Sequence, residues 1–190
     1  KRCGAIRAPA RPSCAPPSGR RRRPVRPSPI WSRSPASRNR SHAVAYAIQY
    51  KARVVEADET EQGERALLNL GHTFAHALEA HGGYDTQLLH GEAVAAGMAL
   101  AFKLSAALGL ASEADAARVT AHLERAGFIT DLRKLPGAPF DVAALMSLAA
   151  ADKKAEAGKL TFILARAIGR AFIERDTPAD VVRELLEAET

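Results

Sequence analysis

A chain of 190 residues, 47% of them hydrophobic, is long enough to fold around one apolar core. Its net charge of +6 would suit a nucleic-acid or membrane partner if it were spread evenly, but residues 1–40 hold Lys1, eleven arginines and no Asp or Glu. Residues 41–190 are therefore net acidic, at −6, which argues against nucleic acid as the partner of the foldable part.

The tract 1–40 also carries eight of the eleven prolines, both cysteines (Cys3, Cys14) and the one tryptophan, Trp31. It shows no apolar period of 2 or 3.6 and is expected to be disordered. Two cysteines in such a tract, with His42 the nearest histidine, support neither a disulfide framework nor a zinc-finger spacing, and a reducing cytoplasm is the expected compartment. No apolar run approaches the roughly 18–20 residues that cross a bilayer, and the N-terminus lacks the apolar core of a signal peptide. The acid-free, arginine-rich start has the composition of a transit peptide, but its prolines oppose the amphipathic helix such peptides form.

From Ser41 the texture turns helix-forming. Val44, Ile48, Ala52 and Val55 recur at spacings of four, four and three, which predicts an amphipathic helix over Ala43 to Ala57. Asp58 to Glu64 interrupts it, and a second helix is expected from near Leu70 to His81, ended by Gly82 and Gly83, with a link through Tyr84, Asp85 and Thr86. His90 to Leu108 is apolar all round and is predicted to be the core helix. Ser112, with Asp115 three residues on, starts a helix that ends at Gly127. Pro136 to Pro139 reads as loop, and Asp141 caps a helix to Ala150. Lys159 to Leu164 and Arg170 to Glu174 form a hairpin turning at Gly169. Thr177 is expected to cap a last helix, with Pro178 at its first position, to about Glu189. The predicted fold is mainly α, a helical bundle with one short β-hairpin.

His72 and His76 are four apart, so on one helix they share a face one turn apart and can address a common site. His-Thr-Phe-Ala-His lacks the Glu after the first His that a zincin protease uses as general base. His90 opens the next helix. The helix from His72 to Ala80 rises only about 12 Å, whereas the link from His81 to Leu89 can span up to roughly 30 Å when extended. His90 can therefore come back beside His72. Two histidines leave a metal site incomplete, since catalytic zinc usually takes three protein ligands and a water or substrate.

Taken in order, Lys51-Ala-Arg-Val-Val, Asp58-Glu59-Thr-Glu61, Arg65-Ala-Leu-Leu-Asn69-Leu-Gly-His72-Thr-Phe-Ala-His76-Ala-Leu-Glu79, Leu89-His90-Gly-Glu-Ala-Val-Ala-Ala-Gly97-Met98, Asp152-Lys153-Lys154 and Gly158-Lys159-Leu resemble the second half of 3-dehydroquinate synthase. The resemblance covers residues 44 to 188. It implies the helical, metal- and substrate-binding C-terminal domain of that fold over residues 41–190, with Zn²⁺ (or Co²⁺) held by a Glu and two histidines. The matching histidines are His72 and His90, and nothing in residues 1–40 matches the Glu.

The resemblance further implies that Lys51, Arg65, Asn69 and His76 serve catalysis and contact the substrate, and that one of Lys153 and Lys154 contacts phosphate. The family substrate, 3-deoxy-D-arabino-heptulosonate 7-phosphate, is a phosphorylated sugar acid, so cations suit its phosphate and carboxylate. The family forms 3-dehydroquinate and phosphate in the shikimate pathway of aromatic amino-acid biosynthesis. It does so through transient oxidation by NAD⁺, loss of phosphate, re-reduction, ring opening and aldol closure, and is commonly homodimeric. Its NAD⁺-binding N-terminal domain has no counterpart in residues 1–40. That tract is expected not to be native family sequence, since its Arg, Pro, Ala and Ser suggest misread GC-rich coding DNA, and the chain alone is expected to be inactive.

Taken singly, these residues also have plainer readings. Lys51 and Arg65 are then solvated charges, Asn69 a helix cap, Lys153 and Lys154 a pair at a helix C-terminus, and Glu79 and Glu92 surface or metal-supporting groups. Two other enzyme readings, a related sugar-phosphate cyclase and a fragment of the glycerol-dehydrogenase type, stay open. The second is opposed by Arg65-x-x-x-Asn69 and Asp152-Lys153-Lys154. A basic-tail nucleic-acid binder would lose its affinity steeply with salt and on deletion of residues 1–40.

Overall fold

The computed structural model describes residues 37–59, 63–83, 88–152 and 159–190. The expectations for residues 1–36, for Glu61, for the 84–87 link and for Lys153 and Lys154 lie outside them. In chain order come α1 (Ser37–Ala57), a 3-10 turn (Glu64–Asn69), α2 (His72–Gly82), α3 (His90–Ala107), α4 (Glu113–Arg125), a 3-10 turn (Leu132–Lys134), α5 (Val142–Asp152), β1 (Lys159–Ala167), β2 (Arg170–Pro178) and α6 (Ala179–Glu189). The fold is mainly helical with one antiparallel hairpin, as expected. No helix among the described residues is long and apolar enough to cross a membrane.

The predicted core helix is the centre of the molecule. Small and aliphatic residues around the whole circumference of α3 are buried, from Ala93 through Ala96 and Leu100 to Leu104, because other elements surround it. Leu78 of α2, Leu145 of α5, Phe162 and Leu164 of β1, and Val182 and Leu186 of α6 join the same cluster. Phe74 packs on Phe162 with ring centroids 4.9 Å apart. The buried hydroxyl of Ser105 donates to the Ala101 carbonyl (2.7 Å) and accepts from the Ala165 amide (3.1 Å), tying α3 to β1 without leaving a polar atom unmatched.

Where α2 meets α3 two glycines are required. Gly71, at φ +84, would place a Cβ 2.5 Å from the Met98 amide nitrogen, and a Cβ on Gly97 would run into the Gly71 carbonyl. No side chain separates the two backbones there. Gly71 is also the N-cap of α2, so Asn69 is not: it ends the preceding 3-10 turn. Contacts of Gly71 with Gly97 and of Glu79 with His90 mean that α2 and α3 run antiparallel.

The helix caps are partly as expected. Ser112 accepts from the Asp115 amide (3.1 Å), and Asp141 accepts from the Ala144 amide (2.6 Å). Thr177 does not cap α6. It pairs with Leu160 as the penultimate residue of β2 and is fully buried, and Pro178 takes the cap position without a side-chain bond. Each strand has nine residues, more than the sequence suggested, and Phe162 through Ala165 are buried continuously rather than alternately. The predicted apolar face of α1 is not a buried face either. Val44 is 59% and Ile48 63% exposed, and among the described side chains of α1 only Val54, near the helix end, is buried.

Candidate metal and anion site

Antiparallel packing at the two glycines brings the N-terminus of α3 alongside the exposed end of α2. The ring centroids of His72 and His90 are 5.5 Å apart, those of His72 and His76 5.7 Å, and those of His76 and His90 6.4 Å. Imidazoles sharing one tetrahedral Zn²⁺ at about 2.0–2.1 Å have ring centres roughly 5 Å apart, so the spacing fits a common ion. His72 is half-buried, and its Nδ1 is shielded from solvent without a hydrogen bond of normal geometry. A buried polar atom without a well-formed hydrogen bond costs stability.

Burial pushes the His72 imidazole below its usual pKa, and the neighbouring His76 and His90 act in the same direction. The Leu70 carbonyl and Glu79 oppose the shift. The outcome favours the neutral ring, the form that ligates metals. The Nδ1 of His90 lies 3.0 Å from Glu79 Oε1. Glu92 is engaged elsewhere, accepting from the Leu89 amide (3.1 Å) at the start of α3. Among the described residues no three His, Cys, Asp or Glu side chains form a complete metal-holding group.

A cleft of about 390 Å³ is lined by Tyr50 and Lys51 of α1, Arg65, Leu68 and Asn69 of the 3-10 turn, and His72. Four of the residues singled out by sequence thus share one cavity, with His76 and His90 beside it. Arg65 is held by its neighbours in the chain. Its guanidinium donates to the Glu59 carbonyl (2.7 Å), and Asp58 Oδ2 accepts from the Gly63 and Arg65 amides (2.8 and 3.1 Å). The Asp58-Glu59 pair of the motif therefore shapes the turn that presents the arginine. A larger groove of about 560 Å³ between α3, α4 and α6 is lined by alanines together with Lys103, Glu113, Glu124 and Glu189, and no histidine lines it.

Tyr50 and Glu79 were not singled out as site residues, yet both had a helical signal. Tyr50 is one residue before Lys51 and three after Ala47, another lining residue, on the same side of α1. Glu79 follows His72 and His76 at i+7 and i+3, on their stripe of α2. The other three histidines have different settings: His42 is exposed near the start of α1. The Nε2 of His81 accepts from the Asp141 amide (3.1 Å), a structural contact with the start of α5, and His122 is exposed on α4.

The chain is 58% identical over 147 residues to a 3-dehydroquinate synthase of Jannaschia sp. (strain CCS1), covering 77% of this chain and 40% of that protein. It is 57% identical over 148 residues to the one of Ruegeria sp. (strain TM1040), covering 78% and 40%. The chain thus spans about two fifths of the length of these curated relatives. In fold it is similar to a 2-deoxy-scyllo-inosose synthase complexed with carbaglucose-6-phosphate, NAD⁺ and Co²⁺ (TM-score 0.65, 22% identity, 76% of this chain and 41% of that one). It is also similar to ValA, the 2-epi-5-epi-valiolone synthase of Streptomyces hygroscopicus subsp. jinggangensis 5008, with NAD⁺ and Zn²⁺ bound (TM-score 0.63, 26% identity, 76% and 38%). The family model described as 3-dehydroquinate synthase C-terminal matches residues 30–155, so its match starts inside the arginine-rich tract and takes in α1 to α5. By that match and these relatives, the chain belongs to the 3-dehydroquinate synthase C-terminal family.

Proposed function

We propose that this chain is the substrate- and metal-binding part of a 3-dehydroquinate synthase, acting on 3-deoxy-D-arabino-heptulosonate 7-phosphate. The observation that carries the reading is the cleft in which Lys51, Arg65 and Asn69 meet His72, with His90 5.5 Å from that histidine. Lys51 and Arg65 supply charge-assisted donors to the substrate's anionic groups, and Arg65, already fixed by the Glu59 carbonyl, loses little freedom on binding. Asn69 and His76 hold substrate hydroxyls and move protons between them. Lys153 or Lys154 contacts the phosphate.

His72 and His90 would hold the Zn²⁺ or Co²⁺, with a third ligand from outside the described residues. The fit rests on the imidazole donors and on their ring spacing. When bound, the metal supplies Lewis-acid polarisation of substrate oxygens, and NAD⁺ supplies the transient oxidation. We further propose that residues 1–29, before the family match begins, are not family sequence, that the active form is a cytoplasmic homodimer, and that these 190 residues by themselves form no dehydroquinate.

The reading is tested by a chimaera in which residues 41–190 replace the matching part of the Jannaschia relative. Turnover of 3-deoxy-D-arabino-heptulosonate 7-phosphate is expected, and loss of at least about 100-fold in kcat/KM on Lys51→Ala or Arg65→Ala, as when charged donors to a phosphate are removed. A folded chimaera that ignores this substrate and cyclises a different heptulose or hexose phosphate would move the assignment to a related cyclase, the class to which the fold neighbours belong. Co²⁺ binding by the 190-residue chain should vanish in His72→Ala and His90→Ala and survive in His122→Ala.

A further inference from the structure

The carboxylate of Glu79 is the one acid placed on the histidine cluster among the described side chains. Its Oε1 lies 3.0 Å from His90 Nδ1, with side-chain exposures of 23% for Glu79 and 61% for His90. An ionised carboxylate only accepts, so the contact requires the proton on Nδ1. The neutral ring then has its lone pair on Nε2. His90 is the first residue of its helix and largely in solvent, so little packing is available to choose its rotamer or tautomer. Glu92, the nearest other acid in sequence, is committed to the Leu89 amide.

We propose that Glu79 is a positioning residue for the metal site: it locks His90 in the Nδ1–H tautomer and fixes the ring, leaving Nε2 as the ligating nitrogen. This inference rests on the reading of His90 as a metal ligand. It adds to the His72–His90 pair a supporting carboxylate on the neighbouring helix, of the kind that orients ligating imidazoles and raises their basicity. Because Glu79 and His90 sit on different helices, the contact also ties the tautomer to the antiparallel α2–α3 pairing.

The test uses the full 190-residue chain, wild type and Glu79→Ala, Glu79→Gln and Glu187→Ala variants, with two readouts. Ring-nitrogen NMR of the metal-free protein above neutral pH should show His90 as Nδ1–H in the wild type, a mixture of tautomers in Glu79→Ala, and retention of Nδ1–H in Glu79→Gln, whose amide oxygen still accepts. Co²⁺ titration followed by visible absorption should show affinity reduced about 10–100-fold in Glu79→Ala, less in Glu79→Gln, and unchanged in Glu187→Ala, an exposed acid on α6. Co²⁺ binding to the wild type with the same His90 tautomer and affinity in Glu79→Ala would overturn the positioning role alone. Co²⁺ binding to the wild type that His90→Ala leaves unchanged would overturn the ligand reading beneath it.

Discussion

The two walls of the candidate cleft are built in opposite ways. The wall that carries His72 rests on the α2–α3 crossing, where backbones touch at Gly71 and Gly97 and α3 is buried on all sides. The wall that carries Lys51 belongs to α1, whose apolar residues Val44, Tyr46 and Ile48 are exposed and whose anchorage is near its C-terminal end, at Val54 and the 3-10 turn. The proposed ligand pair thus sits on the rigid wall and the proposed substrate cation on the loosely held one. A metal site needs fixed spacing between nitrogens, whereas a long lysine can adapt over several ångströms.

Substitutions on the rigid wall should have the largest effects. Leu100→Ala empties a fully buried position in the middle of α3 and is expected to cost about 2–5 kcal/mol in denaturant unfolding. A loss below about 1 kcal/mol would mean that the helices can collapse into the space, and that the crossing is softer than its burial implies. Gly97→Ala comes next, at about 1–3 kcal/mol, because the new methyl group meets the Gly71 carbonyl and the helices must part. Parting them should also separate His72 from His90, so Co²⁺ affinity should fall more in Gly97→Ala than in Leu100→Ala, the reverse of the order in stability. Equal ranking in both measurements would disconnect the glycine contact from the site.

The same contrast explains what could be read from the sequence. A helix buried all round needs only its own composition to be recognised, and α3 was legible for that reason; Ser112 was legible because its cap bond is local. The histidine cluster was half legible, since the i,i+4 spacing of His72 and His76 is a property of one helix. That His90 returns to them depends on Gly71 and Gly97, whose close approach exists only once two distant segments pack. The contact of Glu79 with His90 was hidden for the same cause. Thr177 misled because a β-branched residue before Pro suits both a strand end and a cap, and pairing with Leu160 decided between them. Periodicity in α1 correctly gave a helix, but an apolar stripe does not say what covers it.

Between the walls lies the loop that joins them. Asp58→Ala removes the acceptor for the Gly63 and Arg65 amides and is expected to cost about 1 kcal/mol. The sharper readout is local: hydrogen exchange at those two amides should accelerate while amides in the middle of α3 keep their protection. Uniform acceleration across both would show that the loop and the crossing open as one unit, and would erase the distinction between the walls.

The smallest effect is expected on α1 itself, and it tests the comparison most directly. Ile48 is 63% exposed, so Ile48→Ala removes little area that folding takes from water and should change stability by no more than about 0.5 kcal/mol. The change also exchanges a β-branched residue for the best helix former, which acts in the stabilising direction by a few tenths of a kcal/mol. A measured loss of about 1 kcal/mol or more in the 190-residue chain would therefore require that Ile48 be covered in solution. Concentration dependence of the unfolding midpoint would then separate the two ways of covering it: a midpoint that rises with protein concentration means a second copy, and a constant one means another part of the same chain. In either case Lys51, three residues further along the helix, would stand on a wall as firmly held as that of His72.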